Sequence, residues 1–133
     1  NDEWLYCLFE VKDPAVFIQQ EEDHKMEVAS SSRAEVFFRR DERLSPYYCL
    51  EMDTLGRVLD YEGTFHRKFN FDWSWPPDDL VIKTEKRNDG YTIEVAISKK
   101  SLKALGLLQN NSLQPGIFRA DCKKKNDGKL EFK

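Results

Sequence analysis

The sequence predicts an all-β fold, an antiparallel β-sandwich with at most one or two short helices. Three observations predict it. Apolar and polar residues alternate through Arg33-Ala34-Glu35-Val36-Phe37-Phe38, Tyr47-Tyr48-Cys49-Leu50-Glu51-Met52-Asp53-Thr54 and Tyr91-Thr92-Ile93-Glu94-Val95-Ala96-Ile97-Ser98. Such a period of two sets one strand face on a core and the other toward water. Asn-Asp-Gly occurs at Asn88-Asp89-Gly90 and again at Asn126-Asp127-Gly128, each time between alternating runs, which is a short-range hairpin signal. Helical spacing is confined to Ser98–Leu107, where Leu102 and Leu105 lie three apart and Gly106 is a stop.

Taken in order, Trp4–Val11 sets Leu5, Cys7, Phe9 and Val11 against Trp4, Tyr6, Leu8 and Glu10. With so little polar content on either side, it reads as a central strand covered on both faces. Asp13-Pro14 ends it, because proline has no N–H for a ladder and restricts the residue before it. The polar run Gln19–Lys25 reads as a solvated loop or edge, and Ser30-Ser31-Ser32 leads into the strand Arg33–Arg39. A turn at Asp41–Pro46 returns the chain through Tyr47–Thr54, and Gly56 permits a tight turn or bulge into Arg57–Tyr61. Gly63–Pro77 is irregular and unusually aromatic, with Phe65, His66, Phe69, Phe71, Trp73 and Trp75. Val81–Lys86 and Tyr91–Ser98 form the first Asn-Asp-Gly hairpin, and Ile117–Lys124 and Lys129–Lys133 form the second. Leu5, Phe9, Val36, Phe38, Leu50, Ile93, Val95 and Phe118 are expected to be largely buried. About eight strands in one chain of 133 residues make a single sandwich domain spanning 1–133. The chain stops in a strand directly after a hairpin turn, which reads as a fragment of a longer domain or protein.

The composition, 40% hydrophobic and 13% aromatic, belongs to a globular chain rather than a disordered one. The net charge of -3, with basic residues scattered, gives no support to nucleic acid as a partner. No apolar run approaches the roughly 18 residues of a membrane span. Cys7, Cys49 and Cys122 are an odd set, far apart and each in an apolar strand pattern, and read as buried free thiols.

The order of four segments resembles the carbohydrate-binding module family 9-like domains, in the form found in Bacteroides-type secreted glycan-processing proteins. They are Arg33-Ala34-Glu35-Val36-Phe37-Phe38, Tyr47 through Asp60, Asp89-Gly90-Tyr91-Thr92-Ile93-Glu94-Val95-Ala96-Ile97-Ser98, and Gly116-Ile117-Phe118-Arg119-Ala120-Asp121. The resemblance runs from about Trp4 to Lys133. It implies an immunoglobulin-like or jelly-roll sandwich without catalytic activity, appended to a glycoside hydrolase or carried by an envelope protein. It further implies a polysaccharide or oligosaccharide ligand, other domains of the same parent protein as partners, and a secreted, periplasmic or cell-surface location. Structural calcium is also implied by the resemblance, although Glu21-Glu22-Asp23 lacks the spaced oxygens of a calcium loop. Otherwise no cofactor or metal is expected. The family's sugar-binding Glu matches Glu35. Its first clasp Trp falls at Ala29, its Arg near Glu51 and its Asn near Asp53, and its second clasp Trp belongs to a strand near the end of the domain, which this chain either lacks or has cut off at Lys133.

The residues offer a carbohydrate site of their own. Trp73 and Trp75 alternate in an extended segment, which puts both rings on one side as a flat platform for the C–H face of a pyranose. Glu35, Glu51 and Asp53 supply acceptors for vicinal hydroxyls, and Arg67 a donor. Two plainer readings stand beside this one: the aromatic loop caps one end of the sandwich, and the carboxylates form ion pairs with Arg33, Arg39, Arg57, Arg67 and Arg119. A glycosidase needs two carboxylates about 5 to 10 Å apart in a cleft, and no such pair is evident. A haem-binding electron-transfer sandwich, with Met52 and His66 as axial ligands, and a purely structural interaction domain are the rival functions.

Overall fold

The computed structural model describes residues 1–22 and 24–133. Asp23, part of the loop expected at 19–25, lies outside the described residues. Strands pair antiparallel throughout, in two main sheets and one small hairpin. The smaller main sheet holds β1 (Trp4–Lys12), β7 (Gly90–Ser98) and β6 (Leu80–Arg87), in that order. The larger runs β5 (Lys68–Asn70), β4 (Val58–Thr64), β3 (Tyr47–Asp53), β2 (Arg33–Arg39), β8 (Pro115–Ala120). A separate ribbon joins β9 (Cys122–Lys124) to β10 (Leu130–Phe132).

The core follows from the period-two pattern. Ala34, Val36 and Phe38 from β2 and Tyr48, Leu50 and Met52 from β3 face Tyr91, Ile93, Val95 and Ile97 from β7. Each large aliphatic side chain removed from water here contributes about 1.5–3 kcal/mol. Helix α1 (Lys99–Ala104) is one short turn and a half, capped by the Ser98 hydroxyl, and Leu102 and Leu107 close that end of the sandwich.

The larger sheet carries a second apolar layer on its outer face. A 3-10 turn (Lys25–Ser30) lays Val28 over Cys49, Leu59 and Tyr61, with Phe71 and Phe37 at the margins. This layer was not foreseen, and it explains why almost all of β3 is buried rather than every second residue.

Three expectations are corrected. β1 is an edge strand rather than a central one: Leu5, Cys7, Phe9 and Val11 pack inward, while Tyr6 and Leu8 are 61% and 59% exposed. The expected strand over 117–124 is two strands that separate at Asp121, the first completing the larger sheet and the second pairing only with β10. Phe118, expected in the core, is 57% exposed. Its register places it opposite Glu35, on the outward side of β2, and a one-residue offset is enough to move a side chain to the other face.

Candidate functional site

Glu35, Glu51 and Asp53 all lie on the outer side of the larger sheet, and all three are taken up by arginines. The β2–β3 register sets Glu35 directly opposite Glu51, where two carboxylates repel. Arg33 resolves the repulsion, donating from Nη2 to Glu35 at 2.8 Å and from Nε to Glu51 at 2.5 Å, while its Nη1 reaches the Ala29 carbonyl at 2.9 Å. The Tyr61 hydroxyl donates to the other Glu51 oxygen at 3.2 Å. Burial, and then the Glu51 charge, raise the pKa of Glu35 against the opposing pull of Arg33. Asp53 is buried and accepts from the Leu55 and Arg57 amides at 3.0 and 3.1 Å and from Arg57 Nε at 2.8 Å. Arg57 continues to Glu27 at 2.9 Å and to the Gln19 carbonyl at 2.7 Å, fastening the segment before β2 to the sheet. Glu51 and Asp53 therefore spend their acceptor capacity inside the protein, and the cross-strand ion-pair reading describes them.

The aromatic loop divides. Trp75 is 3% exposed and sits in the core, with its ring 6.0 Å from Phe38 and 6.4 Å from Tyr48. Its Nε1–H donates to the Ser101 hydroxyl at 2.9 Å, and its backbone N–H donates to Asp60 at 2.6 Å. The capping reading holds for this residue, so Trp75 is no platform for a ligand. Trp73 is half-buried, 4.9 Å from Tyr48 and nearly perpendicular to Trp75 at 79°, so the two indoles do not form one flat surface.

Glu35 and Arg67 meet elsewhere, in an open groove of about 840 Å³ on the outer face of the larger sheet. Its floor is aromatic. Phe37 projects from β2 between Glu35 and Arg39, with Phe118 edge-on to it at 5.4 Å and Tyr47 at 6.3 Å. Gly63 stands opposite Tyr47, and any side chain there would meet the tyrosine ring at 2.3 Å, so glycine is what lets that ring lie against β4. The walls are the turn after β4, carrying Phe65, His66 and Arg67, and the strand entry at Gln114 and Pro115. Phe65 is 69% exposed. Two of the wall residues, Leu44 and Arg67, hold left-handed backbone with φ of 52° and 55°. Non-glycine residues adopt that conformation at a cost of about 1–3 kcal/mol, and only where their surroundings impose it. The Phe65 amide donates to the Leu44 carbonyl at 3.0 Å, which ties the two turns together.

Of the groove's residues, sequence reasoning selected Glu35 and Arg67 and missed Phe37, Arg39, Tyr47, Phe65 and Phe118. One signal for them is present in the sequence. Phe37 and Tyr47 occupy outward positions of alternating strands, where polar residues are the rule, and an aromatic there marks either a second layer or a binding surface.

The remaining candidates are dispersed. Met52 is buried between the sheets and His66 lies on the groove wall outside them, so the pair does not converge on one space. His24 caps the 3-10 turn, its Nδ1 accepting from the Met26 amide at 3.2 Å. Among the described residues, no group of three or more His, Cys, Asp or Glu side chains is gathered to hold a metal ion. Cys7, Cys49 and Cys122 are free thiols, and burial pushes the Cys49 pKa well above the ordinary thiol range. Among the described residues, no helix is long and apolar enough to cross a membrane. No family model and no curated protein matches the chain.

Proposed function

We propose that the domain is a non-catalytic carbohydrate-binding module, which seats an oligosaccharide or polysaccharide in the groove floored by Phe37, Tyr47 and Phe118. One observation carries the reading: exposed aromatic rings and hydrogen-bonding side chains converge in a single open concavity of ligand size. Ring faces take the apolar C–H face of a sugar at little entropic cost, and the guanidinium and carboxylate groups at the rim suit its hydroxyls. Glu35 is the single carboxylate at the groove among the described residues, whereas glycoside hydrolysis uses a pair. The resemblance to family 9-like modules supports the same function. It adds that the chain serves beside other domains of a secreted, periplasmic or cell-surface protein.

Phe65 and Phe118 are the residues to change, because neither contributes to the core. Phe65→Ala and Phe118→Ala are expected to abolish retention on a glycan array while the melting temperature stays within a few degrees of the parent. Binding unchanged in both variants would refute the assignment. A second reading, a packing domain of a larger protein, is favoured by the outer face of the smaller sheet, where Tyr6, Leu8 and Val81 are exposed together. Under that reading no glycan is retained, and Tyr6→Glu weakens association with the rest of the parent protein.

A further inference from the structure

We infer that the groove selects polysaccharides carrying carboxylates, that is, uronate-bearing chains, over neutral ones. The inference rests on the carbohydrate-binding reading above and concerns the charge of that same site.

Two arginines and one glutamate line the groove, but they are not equally available. The Glu35 carboxylate already accepts from the Arg33 guanidinium at 2.8 Å, which it shares with Glu51, so it is engaged within the protein. Arg39 is held only by a neutral partner, its Nε donating to Gln114 Oε1 at 2.9 Å, and among the described residues it has no carboxylate within ion-pair distance. Arg67 likewise has none, and it stands exposed on the groove wall. Sheet order places Tyr47 on β3 between them, with Arg39 on β2 to one side and Arg67 in the β4–β5 turn on the other. A cationic fork therefore stands on each flank of an aromatic floor, in a chain whose net charge is -3.

This local inversion of sign is what a carboxylated sugar needs. Its ring rests on Tyr47 or Phe37, while its carboxylate accepts two parallel N–H bonds from a planar guanidinium, a geometry that lysine would not supply. The aromatic walls lower the local dielectric and strengthen the attraction relative to open water. Arg39 also arrives with its Nε already fixed by Gln114, which leaves the outer edge of the guanidinium pre-oriented toward the groove.

The test uses isothermal titration of the whole chain with three probes: oligogalacturonate, a cello-oligosaccharide and a sulfated dextran oligosaccharide that carries no uronate. Oligogalacturonate is expected to bind best, and to weaken as salt rises from about 0.01 M to about 0.15 M, where the Debye length shrinks from roughly 30 to 8 Å. Arg39→Gln and Arg67→Gln should each weaken it roughly tenfold, the loss expected for one charged hydrogen-bond donor. Both residues are exposed, and circular dichroism verifies that each variant remains folded. If the neutral oligosaccharide binds as tightly and neither arginine matters, the charge selection is refuted and the carbohydrate-binding reading survives. Tighter binding of the sulfated dextran oligosaccharide, which carries no carboxylate, would overturn the preference for carboxylate. No binding of any probe overturns both readings.

Discussion

Replacing Trp75 tests the division of the aromatic loop into a structural and an exposed part. Its indole is 3% exposed, wedged between Phe38 and Tyr48, and its Nε1–H is satisfied by Ser101. Removing the ring loses the transfer free energy of a buried aromatic and leaves a void between the sheets, about 3–5 kcal/mol in all. Trp75→Phe keeps most of the volume but strands an acceptor lone pair of Ser101, whose own hydroxyl still donates to the Ser98 carbonyl at 2.9 Å. That single loss is worth about 1–2 kcal/mol. Trp73→Ala removes a half-buried ring stacked against Tyr48 at 4.9 Å, at about 1–2 kcal/mol. Urea denaturation followed by far-UV circular dichroism should rank the three as Trp75→Ala far below Trp75→Phe and Trp73→Ala. A loss under about 1 kcal/mol for Trp75→Ala would refute the core placement, since no buried aromatic is that cheap to remove.

Other outcomes follow from the ion pairs and the thiols. Arg57→Met leaves the buried carboxylate of Asp53 without its counter-ion and should cost about 3–5 kcal/mol in the same denaturation assay. Glu27 accepts from the Glu22 and Glu21 amides and from Arg57, which hold its pKa down at about 2. A carboxyl with a lowered folded pKa stabilises the fold above the ordinary carboxylate range and loses that contribution as the pH falls toward about 2. Glu27→Gln should therefore be less stable than the parent at neutral pH, with the difference closing across that acid window in a pH series of melting temperatures. A thiol-reactive dye at mildly alkaline pH should label native Cys49 far more slowly than the unfolded chain, because burial raises its pKa and blocks access.

The sandwich was legible in the sequence because its strands alternate and its hairpin turns are written as Asn-Asp-Gly. Inward residues of β2, β3 and β7 are the ones the period of two selects. Alternation says nothing about what lies on the polar side. Glu51 and Asp53 read as solvent-facing acceptors, yet Arg33 and Arg57 neutralise them, and the 3-10 turn covers the sheet nearby. Those partners come from another strand and from across a turn, so no local pattern announces them. Trp73 and Trp75 fail for a related reason. A two-residue spacing gives one side only while the backbone stays extended and regular, and here the loop bends so that the rings meet almost at right angles. Phe118 depended on the register of β8 against β2, a long-range property that its own strand does not encode.

The same geometry separates what holds the fold from what the groove presents. The residues between the sheets are closed off from the outer face, and the second layer under the 3-10 turn buries Cys49, Leu59 and Tyr61, with Phe37 and Tyr47 packed against its margin and only partly buried. The groove opens beside that margin. Its two arginines sit on a strand end and in a turn, where side chains are exposed and substitutions away from buried partners change stability by about 0.5 kcal/mol or less. Under the carbohydrate-binding proposal, Arg39 and Arg67 set the charge of the ligand without disturbing the core. Leu44 and Arg67 add the opposite constraint, for both hold left-handed backbone in turns that the Phe65 amide and the Leu44 carbonyl bond to each other. Under the same proposal, a wall that keeps such residues fixed preserves the spacing of the groove before a sugar arrives, which lowers the ordering cost of binding.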